Sequence, residues 1–178
     1  FKVKEPGTQG PYYKMNPQEE FFEIYDCYVE AKSILNSLDM KLGRQKIFYG
    51  DYHIFGPGDW GNSGRWTWDA LKISYKTGKH FVDVFAGGTK IHDPEKISIP
   101  FVKTEFWGGG MYAHFEVAQI LNVEPFYAFK NEGTADYIKT KDINKHWLGF
   151  RICNPERTAF IFDLIPVYEL GHENSKNI

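Results

Sequence analysis

The sequence predicts an α+β protein: an antiparallel, strongly curved sheet or partly closed β-barrel backed by one long N-terminal helix. Three observations predict it. Residues 17–42 carry an apolar stripe at helical spacing. After residue 45 the period falls to two, and strand-like runs are joined mostly by short turns. Aromatic residues make up 17% of the chain, with 15 Phe, 11 Tyr and 5 Trp, and broad flat side chains favour the pleated surface of a sheet.

A polar, Gly- and Pro-containing arm over 1–15 comes first. Asn16 then offers an N-cap, Pro17 suits the first helical position, and Glu19 completes a capping box. Phe21, Tyr25, Tyr28, Leu35, Leu38 and Leu42 form the expected buried stripe, with Gly43 as the stop. Lys46 to Phe55 reads as a strand ended by the glycine-rich loop 56–64. Trp66–Tyr75 and His80–Phe85 form a hairpin across Lys76-Thr77-Gly78-Lys79. Ile97–Lys103 is a strand that Pro100 confines to an edge or bulge.

Gly108-Gly109-Gly110 is expected to break structure before a strand from Met111 to Val123, and 130–145 reads as a loop or short helix. A closing hairpin joins Trp147–Cys153 to Thr158–Tyr168, and 170–178 is a mobile tail. The whole, 1–178, is read as one domain with a β-rich body over 46–169.

Charge excludes one class of partner. With 21 Lys and Arg against 23 Asp and Glu, there is no field for bulk electrostatic binding of nucleic acid. No apolar run approaches the roughly 20 residues of a membrane-spanning helix, so no membrane partner is expected and the chain reads as soluble; its compartment is left open, with the cytoplasm favoured. Cys27 and Cys153 have no metal or redox spacing, and both are read as small buried hydrophobes.

Side chains two apart on a strand share a face, which pairs Asp51 with His53 and His114 with Glu116. Brought together, these four would suit a metal-assisted or acid–base hydrolase, with His53, His114 and Glu116 as candidate metal ligands. The simpler reading is that they are polar residues on a wet face. No nucleophile elbow, phosphate loop or dinucleotide fingerprint is present.

The other cluster is Trp60, Arg65, Trp66 and Trp68, with Trp107 before the triple glycine. If Leu71, Ile73 and Tyr75 face the core, Trp66 and Trp68 project from the opposite face, covered either by the helix or arm or by a ligand. The leading expectation is a non-enzymatic binding module that holds a nucleobase, nucleotide or glycan between these rings, with Arg65 orienting it. It needs no cofactor. The third reading is an interaction or assembly protein whose aromatic surface a protein partner covers.

Overall fold

The computed structural model describes residues 26–50, 55, 68–89, 106–132, 143–154, 161–173 and 176–177. Among them every regular element is a strand. In chain order these are β1 Cys27–Ile34, β2 Leu38–Gln45, β3 Trp68–Thr77, β4 His80–Thr89, β5 Phe106–Ala118, β6 Leu121–Glu132, β7 Ile143–Cys153, β8 Asp163–Leu164, β9 Val167–Glu173 and β10 Lys176–Asn177. All pair antiparallel in one sheet ordered β1-β2-β3-β4-β5-β6-β7-β9-β10, with β8 also on β7. Over the described residues the fold is therefore all-β, and not the α+β fold expected. Among the described residues β1 and β10 do not meet, so the sheet is open and forms no closed barrel.

The helix expected over 17–42 is overturned. Residues 17–25 lie outside the described residues, and Cys27 to Gln45 is a hairpin whose register runs from Cys27↔Arg44 to Ala31↔Met40 before a shift. The apolar spacing is ambiguous, because Val29 and Ala31 also fall on one face of a strand and Tyr28 and Glu30 on the other. The turn decides. Leu35 and Asn36 take φ of 51° and 67°, left-handed values foreign to a helix interior and mild for Asn. The Ser33 N–H donates to Asp39 Oδ1 across the turn at 2.8 Å. β2 then gains an unbroken ladder with β3, from Leu38↔Tyr75 to Gln45↔Trp68. Leu35, expected on a buried stripe, is 87% exposed. Gly43 ends no helix; it lies inside β2, where a Cβ would come 2.5 Å from the Cys27 carbonyl oxygen.

The hairpin across Gly78 forms as expected, joining β3 and β4 with a register from Trp68↔Thr89 to Thr77↔His80. The triple glycine does not break the chain: Gly108 to Gly110 are paired strand within β5. Part of the expected tail is strand as well, in β9 and β10. The expected strand 97–103 and the loop 56–64 fall outside the described residues.

The register sorts side chains onto two faces. One, here the polar face, carries Lys41, Lys72, Asp83, Tyr112, Glu124 and Arg151; the other, the apolar face, carries Met40, Ile73, Val84, Met111, Tyr127 and Leu148. The core lies on the polar face. Ile47 and Phe55, from the segment after β2, bury Ala70, Phe85, Tyr112, Phe126 and Ala128, with Tyr49 and Trp68 packed at the margin. Small residues make this floor. A Cβ on Gly110 would sit 3.1 Å from the Phe55 ring, and one on Gly108 would sit 3.1 Å from the Trp68 ring.

The expected parity of β3 is consequently reversed. Ala70 and Ser74 are buried, whereas Leu71 and Tyr75 are 38% and 50% exposed.

Candidate functional site

The polar face holds a connected set of charged groups. Glu124 on β6 accepts from the Tyr112 hydroxyl at 2.5 Å and from Arg151 Nη1 at 3.0 Å, and lies 2.6 Å from His114 Nδ1. Pro125 cannot donate to the ladder here, and the β5–β6 pairing steps from Tyr112↔Phe126 to Phe115↔Val123, leaving His114 opposite Glu124. Arg151 on β7 also forks onto Asp163 of β8, so one guanidinium ties three strands together.

A second cluster lies on β3 and β4. Asp83 Oδ2 takes Lys72 Nζ and the Tyr49 hydroxyl, each at 2.7 Å. Tyr49 also stacks on Tyr112, with centroids 4.4 Å apart and planes within 8°. Burial, and then the neighbouring Asp83 carboxylate, push the Tyr49 phenol well above its ordinary pKa, so it remains a donor at any physiological pH. Lys76 pairs with Asp39, and Glu169 accepts from Trp147 Nε1 and pairs with Lys145.

The apolar face contrasts with this. Across seven neighbouring strands, Met40, Ile73, Val84, Met111, Tyr127, Leu148 and Tyr168 stand in one cross-strand row. Val84 is 49%, Leu148 59% and Tyr168 65% exposed. The one imidazole in the next row, His146, has its Nδ1 2.7 Å from the Tyr127 hydroxyl. Further along the strands the apolar face turns polar, through Arg44, Asp69, Asn131 and Asn144, with Trp107 in that same row.

Of the residues singled out from the sequence, Asp51, His53, Trp60, Arg65 and Trp66 lie outside the described residues. His114 and Glu116 share the polar face but do not converge: His114 meets Glu124, while Glu116 pairs with Lys79. Among the described residues no three His, Cys, Asp or Glu side chains gather as a metal site. Trp68 lies on the polar face edge-on to Phe85, with centroids 5.5 Å apart, and Trp107 lies on the apolar face, 61% exposed. The fold does not bring these two indoles together. Cys153 is buried as expected, whereas Cys27 is exposed, and they are not bonded.

Sequence reasoning missed Tyr49, Asp83, Tyr112, Glu124 and Arg151. The signal was available as charge parity: Lys72 and Lys76 on β3, Glu124 and Lys130 on β6, and Lys145 and Arg151 on β7 each keep one alternation phase. No protein-family model, curated protein or solved structure matches the chain. Among the described residues no helix is long and apolar enough to cross a membrane, a criterion that does not address strands.

Proposed function

We propose that the chain builds part of the wall of a membrane-spanning antiparallel β-structure, its apolar face against lipid and its polar face lining a path for hydrophilic solutes. The observation that carries this is the row from Met40 to Tyr168. Seven strands at about 4.8 Å spacing make it roughly 30 Å wide. On β6 the same face runs from Val123 through Pro125 and Tyr127 to Phe129, roughly 20 Å along the strand. Such an area equals or exceeds the largest apolar patch a typical monomer leaves in water, about 300–600 Å².

Three further features support it. Strands β3 to β7 have 10 to 13 residues, enough for the roughly 9–11 a tilted strand needs to cross. For β1 to β7 the connections at one end, 35–37, 78–79 and 119–120, are minimal and those at the other, 46–67, 90–105 and 133–142, are long, as in outer-membrane-type barrels; the connections 154–166 and 174–175 that follow reverse this order. Trp107 stands where the apolar face turns polar, the level at which indoles favour a bilayer interface.

The absence of a membrane partner expected from the sequence rested on apolar runs, and a strand with one face in lipid has none. Hydrocarbon leaves unpaired backbone groups unsatisfied. Further strands must therefore pair with the edges at β1 and β10.

The test is reconstitution of the full chain into phospholipid vesicles, followed by measuring entry of small hydrophilic solutes. Protein that stays in the aqueous phase as a monodisperse species, with vesicles as tight as protein-free controls, would contradict the proposal. A stable aqueous complex with a second protein would instead support the assembly reading.

A further inference from the structure

The polar face carries more aromatic surface than a wall facing water needs. Phe85 on β4, Tyr112 on β5 and Phe126 on β6 stand on it and are 2%, 4% and 3% exposed. The chain that follows β2 covers them, through Ile47 and Phe55, themselves 2% and 6% exposed. A path lined by the strands alone would put these rings in water. Their burial shows a face shaped to seat this segment.

The seat is specific. Phe55 meets Phe85, Tyr112 and Phe126 edge-on, with centroids 5.7, 5.9 and 5.8 Å away, an arrangement aromatic pairs prefer. Tyr49 lies flat on Tyr112 while its hydroxyl donates to Asp83 Oδ2 at 2.7 Å, and its N–H donates to the Phe55 carbonyl at 2.9 Å. Gly50 takes a φ of 59°, and a Cβ there would come 3.2 Å from the Tyr112 hydroxyl oxygen, so the backbone itself reaches the sheet. From the opposite end of the strands Ile165, between β8 and β9, packs against the same cluster and lines a small cavity together with Gly50 and Arg151.

Resting on the proposal that this face lines a path, we infer that the segment is the constriction of that path. Tyr49 and Phe55 hold it on the wall, and it, rather than the strands, sets the size of hydrophilic solute that passes. A layer packed on a sheet lies about 10 Å above it, so the segment narrows the bore by about that much. Bore is one of the properties that decide which solutes a pore admits, and for neutral solutes electrostatic barriers drop out.

The test is liposome swelling with neutral sugars graded from a pentose to a tetrasaccharide, using the full chain as wild type, Phe55→Ala, Phe55→Leu and Tyr49→Phe. Wild type should admit the pentose and exclude the tetrasaccharide. Phe55→Ala should raise entry of the tetrasaccharide relative to the pentose several-fold, Tyr49→Phe should raise it less, and Phe55→Leu, which refills the seat, should restore the wild-type limit. Tyr49→Phe keeps its ring in place and decides the matter if Phe55→Ala does not fold. An unchanged ratio in the folded variants, or wild type that passes both sugars equally, would overturn the constriction and leave the path standing. Entry of no sugar with any of the four proteins would overturn the path and the constriction with it. Hydrogen exchange of the Tyr49 amide in detergent needs no vesicle: it should be slow in wild type and faster in Phe55→Ala, and rapid exchange in wild type would show that the segment is not seated.

Discussion

Met111 and Tyr112 are consecutive in β5 and meet opposite surroundings: Met111 is 39% exposed on the apolar face, while Tyr112 is 4% exposed beneath Tyr49. A water-soluble sheet with one buried face places the apolar partner of such a pair inside. Here the phenol that binds Glu124 is inside and the thioether is outside. Val84, 49% exposed beside the buried Phe85, is another apolar side chain on that outer face.

Val84→Arg tests the surroundings of the apolar face energetically. With the face in lipid, an arginine near mid-strand should cost about 2–4 kcal/mol of stability for protein folded in vesicles. Denaturant unfolding in vesicles measures it. With the face in water the loss should stay within about 0.5 kcal/mol.

Phe55 packs edge-on against Tyr49, Phe85, Tyr112 and Phe126. Phe55→Ala should destabilise by about 3–5 kcal/mol. Tyr49→Phe removes only the bond to Asp83 and should cost about 1.5–3 kcal/mol. Equal losses in the two variants, read from urea midpoints, would show that Phe55 is not the anchor of the segment.

The Glu124–Arg151 contact should act as a coupled unit. Arg151 keeps Asp163 and Glu124 keeps Tyr112 and His114 when the other is lost, so Glu124→Leu and Arg151→Leu should each cost about 1–3 kcal/mol, while the double variant should lose less than the sum. Additive losses in a double-mutant cycle would mean that the two do not interact energetically.

The two described indoles from the sequence should behave differently. Trp68→Ala removes a ring from the core and should cost about 3–5 kcal/mol. Trp107→Ala should change stability by less than about 1 kcal/mol. Trp107 fluorescence, isolated by replacing the other tryptophans with Phe, should be quenched by brominated lipid.

The legible part of the fold was local. The Gly78 hairpin and the strand character of 68–85 and 147–153 followed from alternation and turn chemistry. What misled was any pattern satisfied by two structures. The spacing of Tyr28, Leu35, Leu38 and Leu42 fits a helix or a hairpin, and only the pairing of β2 with β3 decides for the hairpin. Gly108 to Gly110 read as a break because glycine disfavours strands in isolation, yet Phe55 and Trp68 need that bare surface. The site was hidden for a related reason: Glu124, Arg151 and Asp163 belong to different strands, and their meeting depends on register. The face assignment failed because β3 buries its small residues, Ala70 and Ser74, under Phe55 and its neighbours and leaves the larger Leu71 and Tyr75 on the more exposed face.

The most direct measurement of the central proposal is the environment of a nitroxide at Leu148 on the apolar face, compared with one at Lys41 on the polar face. Cys27→Ala and Cys153→Ala would provide the background, and the full chain would be reconstituted in vesicles. With the apolar face in lipid, the label at 148 collides readily with dissolved oxygen and little with a water-soluble nickel chelate, and the label at 41 shows the reverse preference. A label at 148 as open to the nickel chelate as the one at 41 would place that face in water and contradict the account.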